Sequence, residues 1–398
     1  MTKRLDAVVA GHLCLDVIPD LSALSGEQFY DRFLPGRLLE VGPAAFCTGG
    51  AVSNTGLALA KLGIEARLMG KVGDDLFGRA VKDIISSYGP HLADLALDEA
   101  VDTSYTMIVN PLGMDRIFLH CPGANDAFGA DDINYDVVAQ ARLFHFGYPP
   151  LLKKIFASGG AQLVEIFQRV KALGVTTSLD MAVFDPTSAA GRADWVAILE
   201  AVLPYVDVFV PNIEETLFTL RRETYDEYYR AAGGPGFLPL IEPSTLSDLS
   251  QRVAGFGVAI VGFKLGDRGL YLRTGEPAVL ETMGAARPSC PPAWADKELW
   301  APCFQVDVAG TTGAGDATVA GFLAALLRGL SPEEALTMAV AVGACNVEEA
   351  DALTGVRSWD ETVRRVKDGW ARHKLTLDAP GWHYDECGQL WHQTSGAF

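Results

Sequence analysis

The sequence predicts an α/β protein with a central, mostly parallel sheet and helices on both faces. Six short apolar, β-rich runs recur, at 7–10, 66–69, 143–146, 176–179, 206–210 and 259–263. Stretches with helical spacing lie between them, including 51–62, 163–173 and 193–202. Such alternation returns each strand to the same sheet in parallel. Two segments break the rhythm: 36–46 and 103–121 are strand-like without intervening helices, and predict a small sheet lying over a site.

Composition narrows the function classes. A chain of 398 residues, 49% hydrophobic and 21% charged, can bury a large core. Its formal net charge of -18 repels nucleic acid and anionic membrane, and no Lys/Arg run offsets it. Neither is therefore an expected partner. ATP is not excluded, because backbone N–H groups and a metal supply positive potential locally. The 7 cysteines are scattered singly with no C-x-x-C, which argues against a disulfide framework and for reduced thiols in the cytoplasm. No apolar run is long enough for a membrane span.

Taken in chain order, the first strand leads into Gly11-His-Leu-Cys-Leu-Asp16, just beyond its end. Next, Cys47-Thr-Gly-Gly-Ala-Val-Ser-Asn54 opens a helix of small residues. Gly49 and Gly50 let a ligand approach the backbone there, and Asp16 and Asn54 have side chains suited to hydroxyl groups. The strand at 206–210 runs into Pro211-Asn212-Ile-Glu-Glu215, so Asn212 and Glu215 sit where open α/β sheets bind ligands. An amide and a carboxylate three residues apart can hold Mg²⁺ through its waters, or simply begin a helix. Lys264-Leu-Gly-Asp-Arg-Gly269 follows the strand at 259–263 and reads as a nucleotide-phosphate turn or a plain hairpin.

The most informative stretch is 309–328, AGTTGAGDATVAGFLAALLR. A glycine-rich turn feeds a helix whose first amides have no internal partner and face the positive end of the dipole. That is a cradle for an anion. It is no Walker A loop, because no Lys-Ser/Thr follows the glycines. Asp316 in the first turn would repel an anion unless it has a task, and accepting a proton from an attacking hydroxyl is such a task. Alone, it also reads as an ordinary helix-start acid. A nicotinamide-dinucleotide site is argued against by the absence of G-x-G-x-x-G after the first strand.

Together and in this order, these segments resemble the ribokinase-like (PfkB) carbohydrate kinase family from about residue 5 to about residue 359. The Gly-Gly-x-x-x-Asn segment ending at Asn54 resembles its N-terminal signature, and Thr-Thr-Gly-Ala-Gly-Asp-Ala around Asp316 its C-terminal one. The resemblance implies a three-layer α/β/α kinase domain over 1–359, phosphorylating a hydroxyl of a sugar or nucleoside-like molecule with ATP and Mg²⁺. Asp316 would be the base, and Gly313, Ala314 and Gly315 the anion hole. Gly11, Asp16, Gly50 and Asn54 would hold the substrate, and Asn212 and Glu215 the Mg²⁺ through water. Lys264, Gly266, Gly269, Thr311 and Asn346 would border the nucleotide. The segment 103–121 and a strand near 38–41 would form a β-lid, with a homodimer through it. A non-catalytic binding relative of the same fold is the alternative.

Two positions depart from the family pattern. Gly310 stands where the family usually has an Asp that helps bind a monovalent cation, so that cation is not carried over to this chain. Asp180-Met-Ala replaces the usual Asp-Pro-Asn. The stretch 275–304 is expected to be a long surface insertion, and 360–398 a C-terminal extension that starts as a helix and ends rich in Trp and His.

Overall fold

A computed structural model describes residues 3–113 and 116–394. All six expected strands form, and they form the parallel part of one ten-stranded sheet. In spatial order these are Ala66–Met69, Leu5–Gly11, Ala141–Gly147, Thr176–Asp180, Val208–Phe209 and Ile260–Lys264. Four antiparallel strands extend it: Leu270–Thr274, Glu298–Ala301, Leu390–Gln393 and Trp382–Asp385.

Side-chain alternation along the strands builds three layers. In the first strand, Val8 and Ala10 join one apolar cluster while Ala7 and Val9 join another. In the strand Ala141–Gly147, Phe144 and Phe146 point to the first cluster and Leu143 to the second. Successive side chains of a strand face opposite sides, so both faces must be covered. Helices Lys153–Ala172, Trp195–Val202 and Pro243–Ala254 cover the first face. Helices Ala314–Leu327 and Pro332–Asn346 cover the second. The helix Ala314–Leu327 is buried almost all round, which is why its sequence is apolar on every side.

The lid is a separate four-stranded sheet in the order Ala44–Gly49, Cys14–Pro19, Tyr105–Val109, Ile117–Cys121. Two expectations are corrected. No strand forms near 38–41, where Leu38 is 93% exposed; the lid strand comes later, at Ala44–Gly49. The lid also takes in Cys14–Pro19, because Gly11 turns the chain off the main sheet with φ of 125°. Met114 and Asp115, within the expected 103–121 segment, lie outside the described residues. Asn125 ties the chain leaving the lid to Leu13, accepting its N–H at 3.2 Å and donating to its carbonyl at 3.0 Å.

The stretch 275–304 is not a surface excursion. Its prolines start two short helices, Pro277–Glu281 and Pro291–Trp294, and Glu298–Ala301 then enters the main sheet with Trp300 fully buried. The tail runs from helix Trp359–Lys367 into the hairpin Trp382–Asp385/Leu390–Gln393, which pairs with that same strand. His383 and His392 stack across the hairpin with ring centres 5.5 Å apart.

Candidate active site

The glycine-rich turn and Asp316 sit where the second helical layer meets the C-terminal ends of the parallel strands. Gly313 caps the helix Ala314–Leu327 in the left-handed region at φ of 72°, and a Cβ there would lie 2.6 Å from the Ala352 carbonyl oxygen. Only glycine meets both demands. Asp316, in the first turn, is 2% exposed. Its Oδ2 accepts from Asn54 Nδ2 at 3.0 Å and from the Tyr148 hydroxyl at 2.7 Å, and its Oδ1 from Thr55 Oγ1 at 3.2 Å. The two glycine segments, 262 positions apart at Asn54 and Asp316, thus meet in one hydrogen-bonded group.

Beside this group opens a cavity of about 730 Å³, with Lys264, Gly266, Gly269, Thr311, Ala314 and Gly315 in its wall. Asn212 and Glu215 border it as well. Gly11, Asp16, Gly50, Asn54 and Asp316 are not on its wall, and of the residues expected at the nucleotide and anion hole two more stand back from it. Asn346 is fully buried and donates to the Thr312 carbonyl at 2.8 Å, so it braces the glycine turn from behind and is not on the wall. Gly313 also lies off the wall, and the Ala314 amide already donates to the Thr311 carbonyl at 3.3 Å. Of the anion-hole trio, Gly315 is left with a helix-start amide beside the cavity.

Asn212 and Glu215 form a reciprocal capping box: the Asn212 N–H donates to Glu215 Oε2 at 2.9 Å, and Asn212 Oδ1 accepts the Glu215 N–H at 2.7 Å. The segment is thus a capped helix start, and it also faces the cavity. Lys264 reaches into the strand ends and donates to both carboxylate oxygens of Asp180, at 2.8 and 2.6 Å. Burial pushes Asp180 up to about 6, with the lysine pulling the other way. Burial pushes Glu215 up to about 7. Burial would lower the Lys264 ammonium, but Asp180 and Glu215 more than offset it and hold it above its ordinary value.

In the lid itself, Asp16 lies on the strand Cys14–Pro19, and burial pushes its carboxyl up to about 6. Cys14 Sγ donates to it at 3.3 Å. Gly11 and Gly50 are close-approach positions: a Cβ on Gly11 would sit 2.2 Å from the Gly147 carbonyl oxygen, and one on Gly50 would sit 2.4 Å from His12 Nδ1. His12 itself is 3% exposed, and neither of its ring nitrogens has a hydrogen-bond partner among the described residues. Burial pulls its pKa down to about 3, so it is a neutral imidazole. It stands between His120 of the lid, ring centres 5.3 Å apart, and Tyr148, 6.1 Å away.

The sequence reading missed Tyr148, Thr55, His12 and Lys264's partner Asp180. Tyr148 and Asp180 directly end or follow parallel strands, a position that marks ligand contact in such sheets. That positional signal was available for both.

Gly310 has a steric cause. The amides of Ala309 and Gly310 donate to the Val347 carbonyl at 2.8 and 3.2 Å, which lays the segment after helix Pro332–Asn346 across the turn. A Cβ at Gly310 would sit 2.8 Å from the Ala350 carbonyl oxygen. Gly310→Asp is expected to cost roughly 1–3 kcal/mol by overpacking, with the glycine turn displaced. Urea unfolding checks this; a variant as stable as the parent would show that the Ala350 segment yields freely.

A profile of the pfkB family carbohydrate kinase matches residues 6–359. The chain belongs to the pfkB family of carbohydrate kinases. As such it is an ATP-dependent sugar kinase. It is 26% identical over 300 residues to an uncharacterized sugar kinase of Archaeoglobus fulgidus, covering 75% of this chain and 98% of that one. It is 24% identical over 339 residues to the 2-dehydro-3-deoxygluconokinase of Thermoproteus tenax, covering 83% and 90%. A match to rice Fructokinase-2, 26% identical over 222 residues, spans 54% of this chain and 60% of that relative, less than two thirds of its length. Among solved structures, Arabidopsis thaliana ribokinase complexed with ribose and ATP superposes with a TM-score of 0.65 at 19% identity, covering 92% and 99%. Xylella fastidiosa fructokinase with bound ATP gives 0.63 at 18% identity, covering 91% and 98%. Both solved structures share the three-layer fold described above.

Proposed function

We propose that this pfkB kinase transfers the γ-phosphoryl group of ATP to a hydroxyl of a small sugar, sugar acid or nucleoside-like molecule, with Asp316 as general base. One observation carries the reading: Asp316 is hydrogen-bonded to Asn54 of the N-terminal glycine segment while standing in the first turn of a glycine-led helix that borders a nucleotide-sized cavity. The acceptor oxygen attacks the γ-phosphorus, the bond from that phosphorus to the bridging oxygen of ADP breaks, and the hydroxyl proton passes to the Asp316 carboxylate. The Gly315 amide and the Lys264 ammonium oppose the charge on the phosphoryl oxygens. Asp16 and the unpartnered His12 nitrogens suit the acceptor's other hydroxyl groups.

Mg²⁺ fits the donor set. Glu215 and Asp180 place two hard carboxylates at the strand ends, both raised chiefly by burial, with the Lys264 ammonium pulling the other way. Among the described residues no three His, Cys, Asp or Glu side chains cluster to cage a metal. Mg²⁺ would accordingly be held by Glu215, with Asn212, through water and shared with phosphate, as this cation prefers. When bound it would neutralise phosphate charge.

Exposed Phe46, Met107, Ile117, Phe118 and Leu119 on the lid support a second copy of the chain covering it as a homodimer. Seven unpaired cysteines support a reducing, cytoplasmic setting. No helix among the described residues is long and apolar enough to cross a membrane.

ADP release measured with Mg·ATP over fructose, ribose, 2-dehydro-3-deoxygluconate and a nucleoside set tests the proposal. Turnover with at least one is expected. Binding of a panel member without turnover of any would favour the non-catalytic relative instead.

A further inference from the structure

In this structure the Asp316 carboxylate is closed off from the cavity beside it. Asp316 is absent from the cavity wall, whereas Tyr148 is part of that wall. The Tyr148 hydroxyl donates to Asp316 Oδ2 at 2.7 Å, on the same oxygen that already accepts from Asn54. A general base must take its proton from an acceptor hydroxyl within hydrogen-bond reach. The tyrosine hydroxyl holds such a place.

The backbone around Tyr148 is held. It adopts the left-handed conformation, φ 65° and ψ 46°, which is uncommon outside glycine. Pro149 and Pro150 follow directly. Its N–H donates to the Asp180 carbonyl at 3.3 Å, and its carbonyl accepts from the Leu151 N–H at 3.0 Å. Rotation of the side chain, with the cavity beside it, is the freedom that remains. Burial pushes the phenol well above its ordinary pKa, so at neutral pH it donates and does not compete as a base.

Resting on the kinase reading above, we infer that Tyr148 is a substrate-displaced gate: its hydroxyl occupies the acceptor-hydroxyl position on Asp316 and keeps water from the base until a sugar hydroxyl replaces it. The gate serves specificity. It makes water a poor acceptor, so ATP is not hydrolysed while the sugar site is empty. A sugar must bring enough hydroxyl contacts under the lid to displace a hydrogen bond to a charged group.

Two variants test this. Tyr148→Phe keeps the ring and removes the donor; Tyr148→Asn removes the ring with a side chain that tolerates the left-handed backbone. With the best sugar of the panel, Tyr148→Phe is expected to lower KM for sugar about 3- to 10-fold, the net scale of one intramolecular hydrogen bond, with the larger effect on KM than on kcat. Tyr148→Asn is expected to raise ADP release from Mg·ATP in the absence of any sugar about 10-fold relative to the sugar-driven rate. A working parent enzyme whose two variants leave both quantities unchanged overturns the gate alone. A KM that rises in Tyr148→Phe also overturns it, and makes Tyr148 a substrate ligand. A parent enzyme that turns over no sugar sinks the kinase reading and takes the gate with it.

Discussion

Asp316→Asn is expected to lower kcat by roughly 10²–10⁴-fold, the usual contribution of a general base, with ATP affinity nearly unchanged. The substitution keeps shape and most hydrogen bonds. The Asn carbonyl can still accept from Asn54 and Tyr148, and its NH₂ can donate to Thr55 Oγ1, which a hydroxyl is able to accept. The fold is therefore preserved, and the loss falls on proton acceptance. ATP should feel little, because the cavity wall is formed by Lys264, Gly266, Gly269 and Thr311 and does not include Asp316. Steady-state kinetics beside calorimetric ATP binding separates the two effects. Near-normal turnover would remove Asp316 from the role of base.

Lys264→Met has the largest expected effect on stability. It removes the cation from a fully buried Asp180, at ion-pair distances of 2.6 and 2.8 Å, with Glu215 nearby. Breaking a buried pair from one side costs about 3–5 kcal/mol, since a charge is left uncompensated. The sign of the pH dependence follows from the raised carboxyls. Asp180 at about 6 and Glu215 at about 7 keep protons that the unfolded chain gives up at lower pH. The native state then binds more protons than the unfolded state, so their contribution falls as pH rises through this window. Without the lysine both carboxyls move further up, and the fall becomes steeper and extends to higher pH. Urea unfolding at about pH 5.5 and about pH 8 should show the variant's deficit growing with pH. An equal deficit at both values, or one below about 1 kcal/mol, would mean that the pair is not the electrostatic centre of the site. Sugar phosphorylation should be lost in parallel, because Lys264 also lies on the cavity wall.

Much of the architecture was legible in the chain. Six apolar runs separated by helical stretches could pair only as a parallel sheet covered on both sides, and they do. The glycine turn before Asp316 was legible as a turn feeding a helix start, because its small residues and first-turn carboxylate are local features of the chain. Short-range signals of this kind survive in sequence because turn geometry and helix ends depend on neighbouring residues. The strand expected near 38–41 failed for the complementary reason. A lid strand exists only where a partner edge is offered, and the edge of Cys14–Pro19 pairs with Ala44–Gly49. The stretch 275–304 was misread because proline-rich loops mask the four-residue strand Glu298–Ala301, whose burial comes from sheet neighbours far away in the chain.

By itself the sequence determined the fold class and located the two glycine segments and the helix start that carries Asp316. Only the tertiary structure decided which groups touch. It brought Asn54 and Tyr148 onto one oxygen of Asp316, set Lys264 on Asp180, moved Asn346 behind the turn, and gave Gly310 a steric cause in the backbone of Ala350. The division has a physical origin: periodicity and turns are properties of adjacent residues. Contacts between distant segments depend on how whole layers pack, and no single segment encodes that.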